Sequence, residues 1–251
     1  MHTASLVSIT PDAEKTIVFC ARVSNPKNQD QLDTAPKLLR YLVKHRHWSP
    51  FELAHMTVEI LTTRSVSAQL LRHRSAAFQE FSQRYADVAV LPELVMPDLR
   101  IQDKKAKQKS YGQLEDASLF KARIQEVQDS SLQVYADLLN AGAARETARD
   151  VLPMGTTSRL YMSASVRTWI HYFMARCHLD TQKEHRQIAS EIRDIFRREL
   201  PVISSAMDQL MAEDANKEEL LKLYAQGKLQ LKGGDTHGFD DGYGESRVLV
   251  F

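Results

Sequence analysis

The feature that most constrains the fold is a series of apolar residues at three- and four-residue intervals in the second half of the chain. This spacing places Phe120, Ile124, Val127, Val134 and Leu138 on one side of a helix. It predicts a long amphipathic helix that ends at Gly142. Similar patterns predict a short helix reaching Val151 and further helices over residues 13–24, 37–45, 64–74, 159–178 and 184–199.

Strand patterns are few and lie in the first half of the chain. Residues 4–9 are predicted to form a short strand. Met56, Val58 and Ile60 alternate with polar residues, which is typical of a half-buried strand. Because helices dominate, the predicted fold class is α+β.

The 251 residues are enough for one large domain, and we assign residues 1–232 to it. Residues 98–116 are polar and lysine-rich, which predicts a solvated connection or insertion within that domain. Residues 233–251 are rich in Gly and Asp and are expected to form a mobile C-terminal tail.

The composition argues against a general affinity for nucleic acid or membranes. Lys and Arg number 33 and Asp and Glu 32, so the net charge is +1 and any basic patch must be local. No apolar run approaches the roughly 20 residues that span a bilayer, and the N-terminus lacks the pattern of a secretory signal. Cys20 and Cys177 form neither a disulfide framework nor a metal-binding pair. We therefore expect a cytoplasmic protein with no metal ion.

One stretch concentrates groups that bind anions. Residues 70–87 read LLRHRSAAFQEFSQRYAD, with Arg-His-Arg at positions 72–74. If the following segment is extended, Glu80, Ser82 and Arg84 project to one side, where the forked guanidinium suits a phosphate. Three interpretations remain open at this point: an exposed salt-bridged face, a surface for nucleic acid, and a pocket for a smaller phosphate-bearing ligand.

The same stretch resembles the signature of the flavin-dependent thymidylate synthases. Arg-His-Arg at 72–74, seven residues and then Ser82 match the RHRx7S pattern of that family, and Arg84-Tyr85 extends the match. ARVSNP at 21–26 and HWSPFE at 47–52 are similar to its upstream blocks, and residues 144–189 are similar to its C-terminal half. The resemblance covers roughly residues 17–200 and leaves out the lysine-rich connection and the tail.

The resemblance implies a helix-rich domain with a small antiparallel sheet and an enzyme that methylates dUMP to dTMP. Such enzymes take the carbon from 5,10-methylenetetrahydrofolate, carry hydride on tightly bound FAD and use NADPH as reductant. They are homotetramers whose sites are shared between subunits. The implied partners are thus dUMP, folate, NADPH and further copies of the chain, with no nucleic acid and no membrane. Since the chain has no Gly-rich phosphate loop, we do not expect FAD binding of the Rossmann type.

Matching positions carry the site residues of the family over to this chain. The implied dUMP contacts are Gln69, Leu70, Leu71, Arg72, Glu80, Phe81, Ser82, Gln83, Arg84, Arg149 and Arg176. The implied flavin contacts are Ser24, Arg72, His73, Arg74, Glu80, Ser165, Val166, Arg167 and His171. His47, Ser49 and Glu52 fall at positions near the flavin and folate.

Arg176 is the implied catalytic residue. The arginine that it resembles sits against the uracil and favours ionisation at N3, which makes C5 a better carbon nucleophile. Since no base–acid pair is devoted to Ser82, we interpret it as a hydrogen-bonding ligand rather than a nucleophile. We assign Cys177 to the core. Residues 184–186 are expected at a solvated helix start, with the alternative that they support the site, because TQKEHR at 181–186 is similar to a block of the family.

Two alternatives belong to other functional classes. A nucleic-acid-binding module would use residues 64–84 and the lysines at 104–109, and its affinity would fall steeply with salt. An inactive relative would keep only a structural or nucleotide-binding role. A yellow colour of the purified protein would favour the flavoenzyme over the first alternative.

Overall fold

A computed structural model gives the structure of residues 2–91 and 94–226. The chain divides into two units, Met1–Asp208 and Gln209–Phe251. The tail predicted over residues 233–251 lies outside the described residues, so its mobility and the domain boundary at residue 232 stay predictions. No helix within the described ranges is both long and apolar enough to cross a membrane.

The strands are β1 (Thr3–Ile9), β2 (His55–Thr63), β3 (Ala77–Glu80), β4 (Ile101–Gln102), β5 (Ser110–Tyr111) and β6 (Thr157–Ser165). The helices are α1 (Ala13–Ala21), α2 (Ala35–Lys44), α3 (Arg64–Leu70), α4 (Ala117–Asn140), α5 (Arg145–Ala148), α6 (Val166–Arg176), α7 (Lys183–Glu199) and α8 (Pro201–Ala225). Short 3-10 turns cover Pro26–Asn28, Ser49–Glu52, Val88–Val90 and Arg149–Val151.

The main sheet has the strand order β1–β2–β6–β3, and each neighbouring pair is antiparallel. Met56, Val58 and Ile60 of β2 are fully buried, which confirms the strand predicted there from the alternation. A separate ribbon of β4 and β5 lies within residues 98–116. The expected helix-rich α+β fold with a small antiparallel sheet is thus confirmed.

Helices α6 and α7 cover the buried face of the sheet. The indole Nε1 of Trp169 donates a 3.0 Å hydrogen bond to the carbonyl oxygen of Met56, which joins α6 to β2. The ring centroid of Phe173 lies 5.2 Å from that of Phe196 on α7, and both rings are fully buried. Aromatic pairs of this kind stabilise a core beyond their burial alone. The sheet and these helices therefore form a rigid base for the segments that follow β2, β3 and β6.

The helix predicted over residues 159–178 is wrong in its first part. Residues 159–165 belong to β6, which pairs with β2 along its whole length. Leu160, Met162 and Ala164 are buried at every second position, as a strand requires. The Oγ of Ser165 accepts a 3.3 Å hydrogen bond from the N–H of Thr168 and so caps the start of α6. The sequence pattern suits either structure, and pairing with β2 decides between them.

The segment around the Arg-His-Arg stretch also differs from the prediction. Helix α3 ends at Leu70 rather than at residue 74. Strand β3 ends at Glu80, and the amide N–H groups of Tyr85 and Ala86 both donate to the carbonyl oxygen of Ser82, closing a turn. The single extended face expected for Glu80, Ser82 and Arg84 is therefore wrong.

Helix α4 confirms the long predicted helix, but only part of the apolar row that predicted it is packed: Leu138 lies against the buried cluster of Val88, Tyr135 and Ala148, whereas three other residues of the row are exposed. Phe120, Val127 and Val134 are 43%, 65% and 44% exposed, whereas Gln128 and Tyr135 are buried. An exposed apolar row of this length is typical of a surface that contacts another protein chain.

Candidate functional site

Helix α3 presents the Arg-His-Arg stretch directly after the buried strand β2. Leu70, the last residue of α3, is fully buried. Arg72 and Arg74 are exposed, whereas His73 is half-buried with its ring centroid 5.2 Å from that of Tyr172. Burial, followed by the charge of Arg176, lowers the pKa of His73. The stretch thus offers two cationic side chains to an anion and one neutral imidazole towards α6.

Glu80, predicted to contact both ligands, is held firmly at the end of β3. Its Oε1 accepts hydrogen bonds from the hydroxyls of Ser67 and Ser158, the latter at 2.7 Å, and forms an ion pair at 2.5 Å with Arg64. All three donors use the same oxygen, so Oε2 is the carboxylate atom left for a ligand. Fixing the orientation of Glu80 in this way prepares it to bind before the ligand arrives.

Three residues predicted to bind dUMP converge near α5. Gln83 and Arg149 line a cavity of about 320 Å³ together with Arg64. A terminal nitrogen of Arg84 lies 3.1 Å from the carboxylate of Glu146, and the Nε of Arg149 donates to the backbone carbonyl of the same residue at 3.3 Å. A small polar cavity with two guanidinium groups in its wall suits a phosphate or another compact anion.

Arg176, the predicted catalytic residue, ends α6 beside a buried polar cluster. Its Nε is buried without a hydrogen-bond partner among the described residues, and so is the Nδ1 of His185. The hydroxyl of Tyr172 lies 3.1 Å from the Nε2 of His185. Unsatisfied buried polar atoms such as these are costly unless a ligand or water meets them.

His185 corrects one expectation from the sequence. It was predicted at a solvated helix start, yet it is fully buried. Burial, and then the charges of Arg176 and His73, lower its pKa to about 4. Cys177 differs less: it is half-buried rather than within the core, and burial raises the pKa of its thiol.

Three of the predicted flavin contacts meet the HWSPFE block. The Oγ of Ser165 donates to Glu52 at 2.7 Å, and a terminal nitrogen of Arg167 donates to the other carboxylate oxygen at 2.9 Å. The ring of His171 lies edge-on to Trp48, with 5.3 Å between centroids. Burial and the charge of Arg167 lower the pKa of His171, so its imidazole is neutral near pH 7. Glu52 and Trp48 thus connect the HWSPFE block to Ser165, Arg167 and His171.

The remaining predicted residues are less closely connected. Within the described ranges, no hydrogen bond or ring contact links Ser24 or Arg74 to these groups. Val166 is buried, and its N–H donates to the carbonyl oxygen of Ala54 at 2.8 Å. The N–H of Phe81 donates to Arg159, also at 2.8 Å, and the Oγ of Ser82 accepts a 3.4 Å hydrogen bond from the N–H of Arg84.

Sequence reasoning missed several residues of this region. Arg64 begins α3 and looks like any helix-start residue, and Ser158 lies in β6 just before the segment 159–165 that was mistaken for a helix. Trp48 lies inside the HWSPFE block, which could have drawn attention to it. Within the part of the chain that is described, no group of three or more His, Cys, Asp and Glu side chains is placed to hold a metal ion.

The chain is similar to proteins of a described family. Residues 5–202 match the family described as thymidylate synthase complementing protein, Thy1. A probable flavin-dependent thymidylate synthase of Paramecium bursaria Chlorella virus 1 is 41% identical over 215 residues, which cover 82% of this chain and 99% of that protein. A flavin-dependent thymidylate synthase of Synechocystis sp. is 43% identical over 197 residues, covering 78% and 89%.

A solved structure is similar as well. The UMP/dUMP methylase PolB from Streptomyces cacaoi, bound with 5-Br dUMP, superposes with a TM-score of 0.72 at 28% sequence identity. The superposition covers 83% of this chain and 95% of PolB. From its matched residues, its identity to curated relatives and its fold, this chain belongs to the Thy1 family of flavin-dependent thymidylate synthases.

Proposed function

We propose that this chain catalyses the reductive methylation of dUMP to dTMP, with FAD as hydride carrier, 5,10-methylenetetrahydrofolate as carbon donor and NADPH as reductant. One observation carries the proposal. Helix α6 bears the predicted uracil-binding Arg176 at its end and the predicted flavin contacts Arg167 and His171 along its length. A single rigid helix is thus suited to hold the substrate ring and the cofactor ring in a fixed position relative to one another.

The polar cavity supports dUMP as the substrate. Arg64, Gln83 and Arg149 line it, and Glu80 beside it is fixed through its Oε1. Two guanidinium groups match the charge of a nucleotide phosphate. The structural relative PolB is a UMP/dUMP methylase, in keeping with a uridine nucleotide at this place. We assign Arg64 to the phosphate contacts together with the eleven residues that the sequence implies, Gln69, Leu70, Leu71, Arg72, Glu80, Phe81, Ser82, Gln83, Arg84, Arg149 and Arg176.

Bound FAD would supply hydride to the nucleotide, and the residues of the chain would provide the environment for that transfer. The guanidinium of Arg176 stabilises negative charge on the uracil as N3 loses its proton, so that C5 becomes more nucleophilic. C5 would then bond to the methylene carbon of the folate while the bonds of that carbon to the folate nitrogens break, and C5 would lose its hydrogen as a proton. The hydride that bound FAD would supply completes the reduction of the methylene to a methyl group. The neutral imidazoles of His73 and His171 add no positive charge that would compete with Arg176 for this anion.

The residues on hand fit a flavin nucleotide without a Rossmann loop. Arg72 and Arg74 are exposed and cationic, as a pyrophosphate requires, while Ser165, Arg167 and His171 gather around Glu52 and Trp48. We propose that these groups, with Ser24, His73, Glu80 and Val166, contact the cofactor.

We further propose that the working enzyme is a homotetramer with shared sites. The exposed apolar row of α4 supports association of chains, since Val127 and Val134 are 65% and 44% exposed. Ser24 and Arg74 make no hydrogen bond or ring contact with the other predicted flavin contacts within the described ranges, as we expect if a neighbouring subunit completes the site. A cytoplasmic location remains part of this proposal.

Reconstitution tests the proposed reaction. Protein incubated with FAD, dUMP, 5,10-methylenetetrahydrofolate and NADPH should form dTMP, quantified by chromatography. The bound flavin is first removed from the protein. Product should then form only when FAD, dUMP, 5,10-methylenetetrahydrofolate and NADPH are all added, and omission of any one of them should abolish it. Binding of DNA or RNA that falls steeply with salt, without any bound flavin, would instead favour the nucleic-acid-binding alternative. Bound flavin without dTMP would favour the inactive relative.

A further inference from the structure

A chain of polar contacts joins the connection of residues 98–116 to the predicted dUMP site. The guanidinium of Arg100 donates to both carboxylate oxygens of Glu184, at 2.6 and 3.0 Å. Glu184 Oε2 also accepts a 2.8 Å hydrogen bond from the Nε2 of Gln182. The Oε1 of Gln182 in turn accepts a 2.5 Å hydrogen bond from the Nε2 of Gln69. We call Arg100, Glu184, Gln182 and Gln69 the amide relay.

The sequence predicts a solvated connection, but the structure shows that the connection also makes partly buried polar contacts. The side chains of Arg100 and Glu184 are each only 16% exposed, and the guanidinium meets the carboxylate with two parallel donors. Arg100 also lies 3.2 Å from Asp98, which binds Lys183 at 2.7 Å. Hydrogen bonds from Arg100 and Gln182 outweigh burial and hold the pKa of Glu184 down at about 2, so the carboxylate stays charged at neutral pH.

The relay has a direction that follows from hydrogen-bond chemistry. An ionised carboxylate only accepts hydrogen bonds, whereas an amide donates through nitrogen and accepts through oxygen. Glu184 must therefore be met by the nitrogen of Gln182, which turns the oxygen of Gln182 towards Gln69. The oxygen of Gln182 can accept a hydrogen bond only from the amide nitrogen of Gln69. The Oε1 of Gln69 is therefore not bonded to Gln182 and can accept a hydrogen bond from a ligand.

We propose that Glu184, held by Arg100, orients the Gln182 amide and through it the Gln69 amide, so that Gln69 presents a carbonyl oxygen to a hydrogen-bond donor of the nucleotide. The 3′-hydroxyl of the deoxyribose is such a donor. Arg100, Glu184 and Gln182 are thus positioning residues for substrate binding. This inference rests on the proposed function, in which Gln69 contacts dUMP.

The test measures dUMP affinity by titration calorimetry on the full-length, flavin-loaded protein. Glu184→Gln lets the facing amides take either orientation, and Gln182→Met removes the amide at an exposed position where folding is least at risk. Gln69→Met removes the contact itself. Loss of one neutral hydrogen bond predicts a dissociation constant about three- to tenfold higher for each variant. The flavin content of the purified variants should not change.

Lys109→Met is the matched control. Lys109 forms a 2.6 Å ion pair with Asp180 and so joins the same connection to the segment before α7, but outside the amide relay. The dUMP affinity of the Lys109→Met variant should equal that of the wild type. A purely structural role for the connection would lower the melting temperature of all the variants and leave the dissociation constant of each unchanged, which would overturn the inference.

A double-mutant cycle provides the sharper test. In the Gln69→Met background, adding Gln182→Met or Glu184→Gln should weaken dUMP binding no further, because the relay acts only through Gln69. Additive losses would overturn the inference, and so would wild-type affinity in Gln69→Met. A wild-type protein that binds no dUMP would overturn the proposed function together with the relay, which distinguishes the two failures.

Discussion

Tyr172 and His185 form a hydrogen bond in the interior of the protein, with 3.1 Å between the phenolic oxygen and Nε2 and neither side chain exposed to solvent. Burial raises the pKa of Tyr172 beyond any physiological pH, while burial and nearby positive charge lower that of His185 to about 4. Both groups are therefore neutral at pH 7. Their pairing keeps a charge-free surface beside Arg176, the residue to which we assign the catalytic role.

The depressed pKa of His185 predicts a loss of stability on acidification. In the unfolded chain the imidazole titrates near 6.5, and in the folded protein it titrates near 4. Between these values the unfolded state binds more protons, so the free energy of unfolding falls as the pH falls from 6.5 to 4. Between pH 7.5 and 5 this single group should cost the wild type about 2 kcal/mol.

Urea denaturation at the two pH values checks this prediction, with His185→Gln as the comparison. The variant lacks the titrating group, so its stability should fall by about 2 kcal/mol less than that of the wild type over the same interval. Equal pH dependence of the two proteins would show that folding does not lower the pKa of His185, contrary to its burial.

Glu80→Gln should destabilise the protein. Arg64, Ser67 and Ser158 all bind the charged carboxylate of Glu80, and the substitution replaces this carboxylate by a neutral amide. We expect a loss of about 1–3 kcal/mol in the free energy of unfolding. Glu59→Gln is the control, because Glu59 is bonded to Tyr161 on the exposed side of the sheet, and it should cost less than about 1 kcal/mol. Similar losses for both variants would contradict the role given to Glu80.

Val134→Lys should prevent assembly of the chains. Val134 is 44% exposed, so a single folded chain tolerates the lysine, whereas an apolar interface does not. Gln133→Lys introduces the same charge at the adjacent exposed position, about 100° further round α4. Light scattering should show a tetramer for Gln133→Lys and a smaller species for Val134→Lys. A tetramer in both cases would place the interface elsewhere.

Arg176→Ala should separate the two halves of the reaction. If its guanidinium stabilises developing charge as an oxyanion-hole donor does, the loss is about 2–4 kcal/mol, which is roughly 30- to 1000-fold in methyl transfer. Arg176→Lys keeps the charge and loses the paired donors, so it should fall between the wild type and Arg176→Ala. Absorbance spectra should show that flavin still binds and that NADPH still bleaches it. Loss of flavin with unchanged dUMP affinity would make Arg176 a cofactor ligand.

The sequence predicts the local patterns well and the pairing between distant segments poorly. The alternation in β2 and the spacing in α4 each follow from one short stretch of chain, and both elements are confirmed. By contrast, β6 was mistaken for helix because its apolar residues suit both periods, and only its pairing with β2 settles the matter. Helix α8 was not predicted at all.

The site shows the same division. Motif spacing brought Arg72, Glu80 and Arg149 to attention, but it gave no sign that Arg64 and two serines would hold one oxygen of Glu80. The burial of His185 is likewise set by packing against Tyr172, which residue types alone do not reveal. Contacts between polar residues of separate elements cannot be predicted from sequence spacing, because only the fold brings these residues together.

Release of tritium from dUMP labelled at C5 tests the central claim most directly. Methyl transfer to C5 must expel the hydrogen bound there, so the flavin-loaded protein supplied with 5,10-methylenetetrahydrofolate and NADPH should release tritium into water in step with dTMP formation. Omission of the folate should stop dTMP formation. A protein with bound flavin that releases no tritium from dUMP under the complete conditions would contradict the assignment of this chain as a working thymidylate synthase.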